Sequence, residues 1–412
     1  FPTRRSSDLF RIEETMKREI LRLSGPIILQ NMIVYLVMAL ENIIIAKISD
    51  PAFAALTLAA QVYTAMSLIT CGISGGGNIL LSKYIGAGDF FKVRLTVRYE
   101  LFITFAIPGA AALFCAVAPE KVMGLLTEHE ELIYLGGGYL RLMGPAWLFA
   151  VISLILTQLL RVLGKPKIPA RIAAFEMLAE LVSTAAIVFL TSAQVEEKLL
   201  WISVAFLSMR LLELSALLFF AMRELNALGK AGSGASGFAG EFCKIVLPVP
   251  ANELFWAVGT SVLAGIIGRQ SQRTISAYGI CMTAESLAGV VMSGLDLSGS
   301  MVLGKNLSAG RERVLDAKNA MRRLALEGGG AEIVLLAAMA LLAPYIYPGL
   351  DPEIHSLCRW LILIDAAIEL FKAVQNMNMT GILRAMGDVR FCFVTDFVFQ
   401  WLYAIPLTWL CL

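Results

Sequence analysis

The first half of this chain is written again in the second. Residues 26–88 align with 248–310 at a constant offset: Pro26 falls on Pro248, Ala55 on Ala277, Gly72 on Gly294 and Gly77 on Gly299. LSKYIGAGD (81–89) lies on LGKNLSAGR (303–311), and LRVLG (160–164) lies on LRAMG (383–387) after a slip of one residue. Apolar composition alone gives chance matches, but it does not hold glycines, prolines and a lysine in register over that distance. A duplicated, very hydrophobic chain points to a two-lobed membrane protein of the kind that moves solutes.

Hydrophobic residues make up 58% of the chain and charged residues 16%, against roughly a quarter charged in a soluble domain. Stretches long enough for a hydrocarbon core of about 30 Å fall near 20–46, 54–81, 99–118, 133–160, 169–191, 199–222, 245–268, 275–303, 325–347, 358–383 and 389–412. None alternates with the period of two that a lipid-facing barrel strand requires. The expected fold class is therefore an all-α membrane protein of two pseudo-symmetric six-helix lobes. The last span breaks off at TWLCL (408–412), so the twelfth helix of this plan is expected beyond the sequence. The opening FPTRRSSDLF has no signal-peptide pattern, and residues 1–15 are read as a non-native or disordered segment. Residues 16–223 then form the N-lobe with helices 1–6. Residues 224–241 form a cytoplasmic linker around the Gly/Ser-rich GKAGSGASGFAG, and 242–412 form a C-lobe with helices 7–11.

Basic residues set the orientation. Lys83, Lys92, Arg94 and Arg98 crowd one junction, Arg161, Lys165, Lys167 and Arg171 the next, and Lys305, Arg311, Arg313, Lys318, Arg322 and Arg323 a third. All three lie on the same side, which the positive-inside rule makes cytoplasmic, together with the N-terminus. The net charge of +2 thus faces lipid headgroups and implies no nucleic-acid partner. The seven cysteines stand singly in or beside apolar spans and the two histidines stand alone, so neither a metal site nor a disulfide framework is expected. Gly299–Asn306 is one residue short of a phosphate-binding loop, but it closes a membrane helix instead of following a strand. Transport by this chain is expected to be secondary. No nucleophile–base pair is recognisable, and no enzymatic activity is expected.

Acids inside the spans carry the most information, because a carboxylate at mid-bilayer costs about 2.5–3.5 kcal/mol to insert. Glu369 with Lys372, and Arg210 with Glu213, stand at i, i+3 and can neutralise one another. The first lobe differs. Gln30, Asn31, Glu41 and Asn42 share one face of span one, and Glu176, Glu180 and Ser183/Thr184 make a stripe along span five. Neither stripe has a basic residue at helical spacing. Facing each other, they would gather three carboxylates in a low-dielectric pocket that can take up H⁺, Na⁺ or an organic cation. Glu41, Glu180, Glu176, Thr184 and Asn42 are the expected cation-coupling group, with Na⁺ between Glu41 and Glu180 as the one metal option.

These residues resemble the multidrug and toxic compound extrusion (MATE) family over about 17–412. LSGPIILQN (23–31), SKYIGAGD (82–89), LRVLGKPKIP (160–169) and GILRAMGD (381–388) stand closest to its wording. The resemblance implies two six-helix lobes rocking about a central cavity, with no cofactor and with H⁺ or Na⁺ exchanged for small, often cationic organic compounds. It also implies a multi-pass protein of the bacterial inner membrane, embedded in the lipid bilayer and working without an obligate protein partner, as a monomer. Members bend their first span at a proline, matching Pro26, and carry an acid before an apolar run, the place of Glu41 in LENIIIAK. In span five Glu180 and Thr184 stand where the family often has Asn and Asp. The substrate cavity is expected to include Gln30, Asn31, Tyr35, Glu253, Met282 and Asp365, with Trp147 and Trp256 as further apolar contacts. Pro26, Gly72 and Gly77 are the expected hinges. The related lipid-linked oligosaccharide flippases would want a basic cavity, for which Arg141 is the chief candidate here. A membrane scaffold or sensor is the remaining alternative.

Overall fold

In lipid, every backbone N–H and C=O must be satisfied within its own segment, so these apolar repeats can only coil. The computed structural model describes residues 6–45, 47–229, 234–267, 272–346 and 352–411. Helices are the only regular structure among them. In chain order they are α1 (Ser6–Ile45), α2 (Asp50–Ala87), α3 (Phe90–Ala106), α4 (Pro108–Val117), α5 (Pro119–Leu126), α6 (Glu130–Val162), α7 (Lys167–Leu190) and α8 (Val195–Ala227). There follow α9 (Phe238–Val246), α10 (Pro248–Ile267), α11 (Gln272–Ala288), α12 (Val290–Asn306), α13 (Arg311–Ile346), α14 (Pro352–Asn376), α15 (Val389–Phe397) and α16 (Ile405–Cys411). Wider π-turns continue α14 through Met377–Leu383 and join α15 to α16 through Val398–Ala404.

Among the described residues, nine helical stretches are long and apolar enough to cross a membrane. Two expected spans are not among them: 245–268, which α9 and α10 share, and 358–383, although it is helical. Arg359, Asp365, Glu369 and Lys372 all lie on α14, and that charge density removes it from an apolar count. Part of the expected linker, residues 230–233, lies outside the described residues.

The turns repeat as the sequence does. Gly88 (φ +72°) and Gly310 (φ +104°) occupy equivalent places after α2 and after α12, and Gly164 (φ +81°) and Gly387 (φ +89°) form a second such pair. A left-handed backbone there admits glycine at little cost. Asp89 then starts α3 by accepting the Lys92 amide at 3.1 Å.

The helices gather into two compact units. The first comprises 29–77 and 88–242, the second 1–28, 78–87 and 243–412. In the first, α6 is central and packs on α3, α4, α5 and α8, while α7 packs on α8. Its core joins Leu56 and Met66 of α2 to Cys115, Leu140, Met143, Trp147 and Val151. In the second, α13 lies along α14 and α12. One core holds Ile20, Leu23, Leu295, Leu303, Met321, Leu324 and Met377, and another holds Ala277, Ala284, Leu336, Ala340, Cys358 and Ile362.

Both α1 and α2 therefore contribute to each unit. The end of α2 belongs to the second, where it crosses α12. Asn78 Nδ2 donates to Ser300 Oγ at 2.8 Å, and these residues are 222 apart, which is the repeat offset itself. A Cβ on Gly304 would overlap the Cβ of Ser82, its own repeat equivalent, and a Cβ on Gly86 would overlap the Lys305 carbonyl. Asn78 and Ser82 thus each meet their own repeat equivalent, and the small residues there let the backbones come together. Gly299–Asn306, which has the spacing of a near phosphate loop, is simply the end of α12.

Candidate functional site

The first unit holds a buried acidic cluster arranged around a single base. Glu176 and Glu180 are one turn apart on α7 and are 3% and 2% exposed. Arg210, on α8, reaches both, pairing with Glu176 at 3.2 Å and Glu180 at 3.3 Å, and with Glu213 of its own helix at 3.2 Å. Glu41 of α1 is buried as well, and Arg210 and Glu176 are the charged groups that act on it. The cluster thus sets four carboxyl groups against one guanidinium. It keeps unused acceptors: Glu41 Oε1, Glu180 Oε1 and Thr184 Oγ1 are buried without a hydrogen-bond partner.

This corrects two expectations. The α7 stripe does have a counter-charge, supplied from the next helix, where spacing along α7 cannot reveal it. Arg210, read as neutralising only Glu213, is the hub of the group. The shared face of α1 also does not make a single site. Gln30 accepts from Arg161 at 2.8 Å, whereas Glu41 belongs with Arg210; three turns of helix are about 16 Å long. Asn31 is half-buried and Tyr35 is 46% exposed, and the side chain of Asn42 lies outside the described residues. Trp147, open in the sequence to a cavity role or to packing, is a core residue, 5% exposed and stacked on Tyr63 at 5.7 Å.

The second unit uses the same device twice. Lys372 of α14 is bonded to Glu285, to Asp365 at 2.9 Å and to Glu369 at 3.0 Å. Arg384 pairs with Glu253 at 2.8 Å and stands 3.9 Å from Asp396. The expected intrahelical pair Glu369–Lys372 forms, but as one arm of a larger group. Met282 is half-buried, near Glu285 on α11. Among the expected hinges, Pro26 lies inside α1, and Gly72 and Gly77 are buried in α2. Arg141 is tied to Glu120 at 2.8 Å on an exposed face. Among the described residues, no group of three or more His, Cys, Asp or Glu is placed to hold a metal ion.

Three acids went unremarked in the sequence. Glu100 is 1% exposed with both oxygens unpartnered, Glu332 is 1% exposed and accepts the Met292 amide at 3.0 Å, and Asp316 is 5% exposed. Glu100 sits at the edge of an expected span beside Arg94 and Arg98. The only available signal was that a helix starting at Asp89 would carry it into the interior.

An all-helical, internally duplicated membrane protein with buried one-base, several-acid clusters belongs to the class of membrane transporters. The MatE family model matches residues 26–185 and 248–410, one match in each repeat, and the chain belongs to that family, whose members are transporters and not enzymes. It is 25% identical over 408 residues to a probable multidrug resistance protein NorM of Pseudomonas syringae pv. tomato, covering 95% of this chain and 87% of that one. A probable multidrug resistance protein NorM of Pseudomonas aeruginosa is 24% identical over 430 residues, covering 95% and 82%. The fold is similar to that of the Vibrio cholerae MATE transporter VcmN, with a TM-score of 0.85 at 12% identity over 97% of this chain and 90% of that chain. A MOP superfamily transporter from Pyrococcus furiosus gives 0.81 at 13% identity, covering 96% and 88%.

Proposed function

We propose that this protein is a secondary antiporter of the bacterial inner membrane. It exports small, cationic organic compounds of the multidrug type in exchange for H⁺ or Na⁺. The observation that carries this reading is the cluster of Glu41, Glu176, Glu180 and Glu213 around Arg210. One guanidinium cannot neutralise four carboxylates, and in a low dielectric the excess negative charge is stabilised by a proton, a metal cation or an organic cation. Ligands that compete for one charge balance exclude each other, which is what exchange requires. The names of the curated relatives support multidrug compounds as the exported class. A lobe movement about Pro26, Gly72 and Gly77 would expose the group to each side in turn. The flippase alternative needs basic groups free to bind pyrophosphate, and Arg210, Lys372 and Arg384 each face two or more acids.

The test is ethidium efflux from everted vesicles under an imposed H⁺ or Na⁺ gradient. Gradient-driven efflux is expected in the wild type and its loss in Glu41→Gln. Efflux unchanged by Glu41→Gln would remove the coupling role from this cluster, and no efflux under either gradient would overturn antiport of this compound.

A further inference from the structure

We propose that Glu100, on α3, is a proton-carrying site of the transport cycle, separate from the Arg210 cluster. The inference rests on the antiport reading above. Glu100 is 1% exposed, and neither carboxyl oxygen has a hydrogen-bond partner. One turn further along, the buried Thr104 hydroxyl has none either. The carboxyl group lies in a socket in α2, where a Cβ on Gly77 would overlap its oxygen. Gly77 is the last of three consecutive glycines, 75–77.

The second repeat supplies an internal control. Gly299 is the equivalent of Gly77, and its socket is filled by Met321, whose Cε lies 2.7 Å from where a Cβ would stand. Met321 is on α13, one residue short of the repeat offset from Glu100. The packing position therefore asks only for a long, unbranched side chain, and an apolar one serves. A methionine there costs nothing in desolvation, whereas an ionised carboxylate in the same place is strongly disfavoured. A costly residue where a cheap one fits is the mark of a functional position.

The neighbouring charges are committed elsewhere, and burial alone acts on the carboxyl group. On its own helix, Arg94 donates to the carbonyls of Leu225, Leu228 and Gly229, and Arg98 is exposed. Tyr99 packs on Phe238 and Phe242, and on α6 Arg161 donates to Gln30. Residues 72–77 of α2 include no charged side chain. A single buried carboxyl group suits a proton. Bending of α2 at its consecutive glycines would move the socket wall and open Glu100 to water, where it gives up the proton.

Wild type, Glu100→Gln and Glu100→Met would be compared; the last copies the second repeat and keeps the packing. In purified protein, proton release on adding tetraphenylphosphonium is read with a pH indicator, and the protonated-carboxyl carbonyl stretch with infrared difference spectroscopy. Both variants are expected to fold, to lose one infrared band and to release fewer protons. Proton-driven ethidium efflux is expected to fall in both. If proton release and the infrared bands match the wild type, Glu100 carries no proton and the inference is overturned. The same follows if efflux is driven by Na⁺ alone and is insensitive to pH. Each of those results leaves antiport standing, whereas a wild type that moves no ethidium under either gradient overturns the antiport reading instead.

Discussion

Arg210 shows how far a single residue can be misjudged by its neighbours in sequence. Standing three residues before Glu213, it reads as half of a self-contained pair, yet it also holds Glu176 and Glu180 from the adjacent helix. Removing one partner from a buried ionic group costs about 3–5 kcal/mol, because the remaining charges stay buried and uncompensated. Arg210→Met is therefore expected to lower the melting temperature of the detergent-solubilised protein, and adding Glu180→Gln should recover part of the loss. A melting temperature unchanged by Arg210→Met would mean that the carboxyl groups are already neutral without it. Trp147 makes the opposite point: an aromatic in a span is open to a cavity role until packing on Tyr63 places it in the core.

At the scale of elements, the crossing of α2 and α12 is fixed by small residues at equivalent places. Gly304 accommodates Ser82, and Gly86 accommodates the Lys305 carbonyl. Gly304→Ala should cost about 1–3 kcal/mol by overpacking, read as a lower melting temperature. The exchange Ser82→Gly with Gly304→Ser puts the same two side chains on opposite helices and should restore most of it, as a double-mutant cycle would measure. If the exchange is as damaging as Gly304→Ala alone, the contact is not the symmetric one described. The repeat and the helical spans were legible beforehand, since each depends on residues close in sequence or on the offset between copies. The interlocking of Asn78 with Ser300 was not, because an alignment shows equivalence and says nothing of contact.

For the whole molecule, the distribution of basic residues predicts that the junctions carrying Lys83, Arg94, Arg161, Lys165, Lys305 and Arg311 face the cytoplasm. A single cysteine placed at the exposed Ser236, in a background free of the native cysteines, should react with a membrane-impermeant maleimide in everted vesicles and not in intact spheroplasts. The reverse labelling would invert the topology and, with it, the direction assigned to transport. Under the proposed antiport, orientation and the acid-rich interior are linked, since export of a cation would need the carboxyl clusters to face alternately the basic side and the other.

By itself, the sequence determined that the chain is helical, duplicated and membrane-spanning, and it named most of the acids that are buried. Those conclusions follow from composition, period and repeat, which act locally or by self-comparison. Only the tertiary structure decided which charges meet. It brought Arg210 to Glu176 and Glu180, Lys372 to Glu285, and Arg384 to Glu253, and it left Glu100 alone in the Gly77 socket. The reason is physical: an ion pair between helices depends on the rotation and depth of two separate segments, and helical spacing within either one does not encode the other.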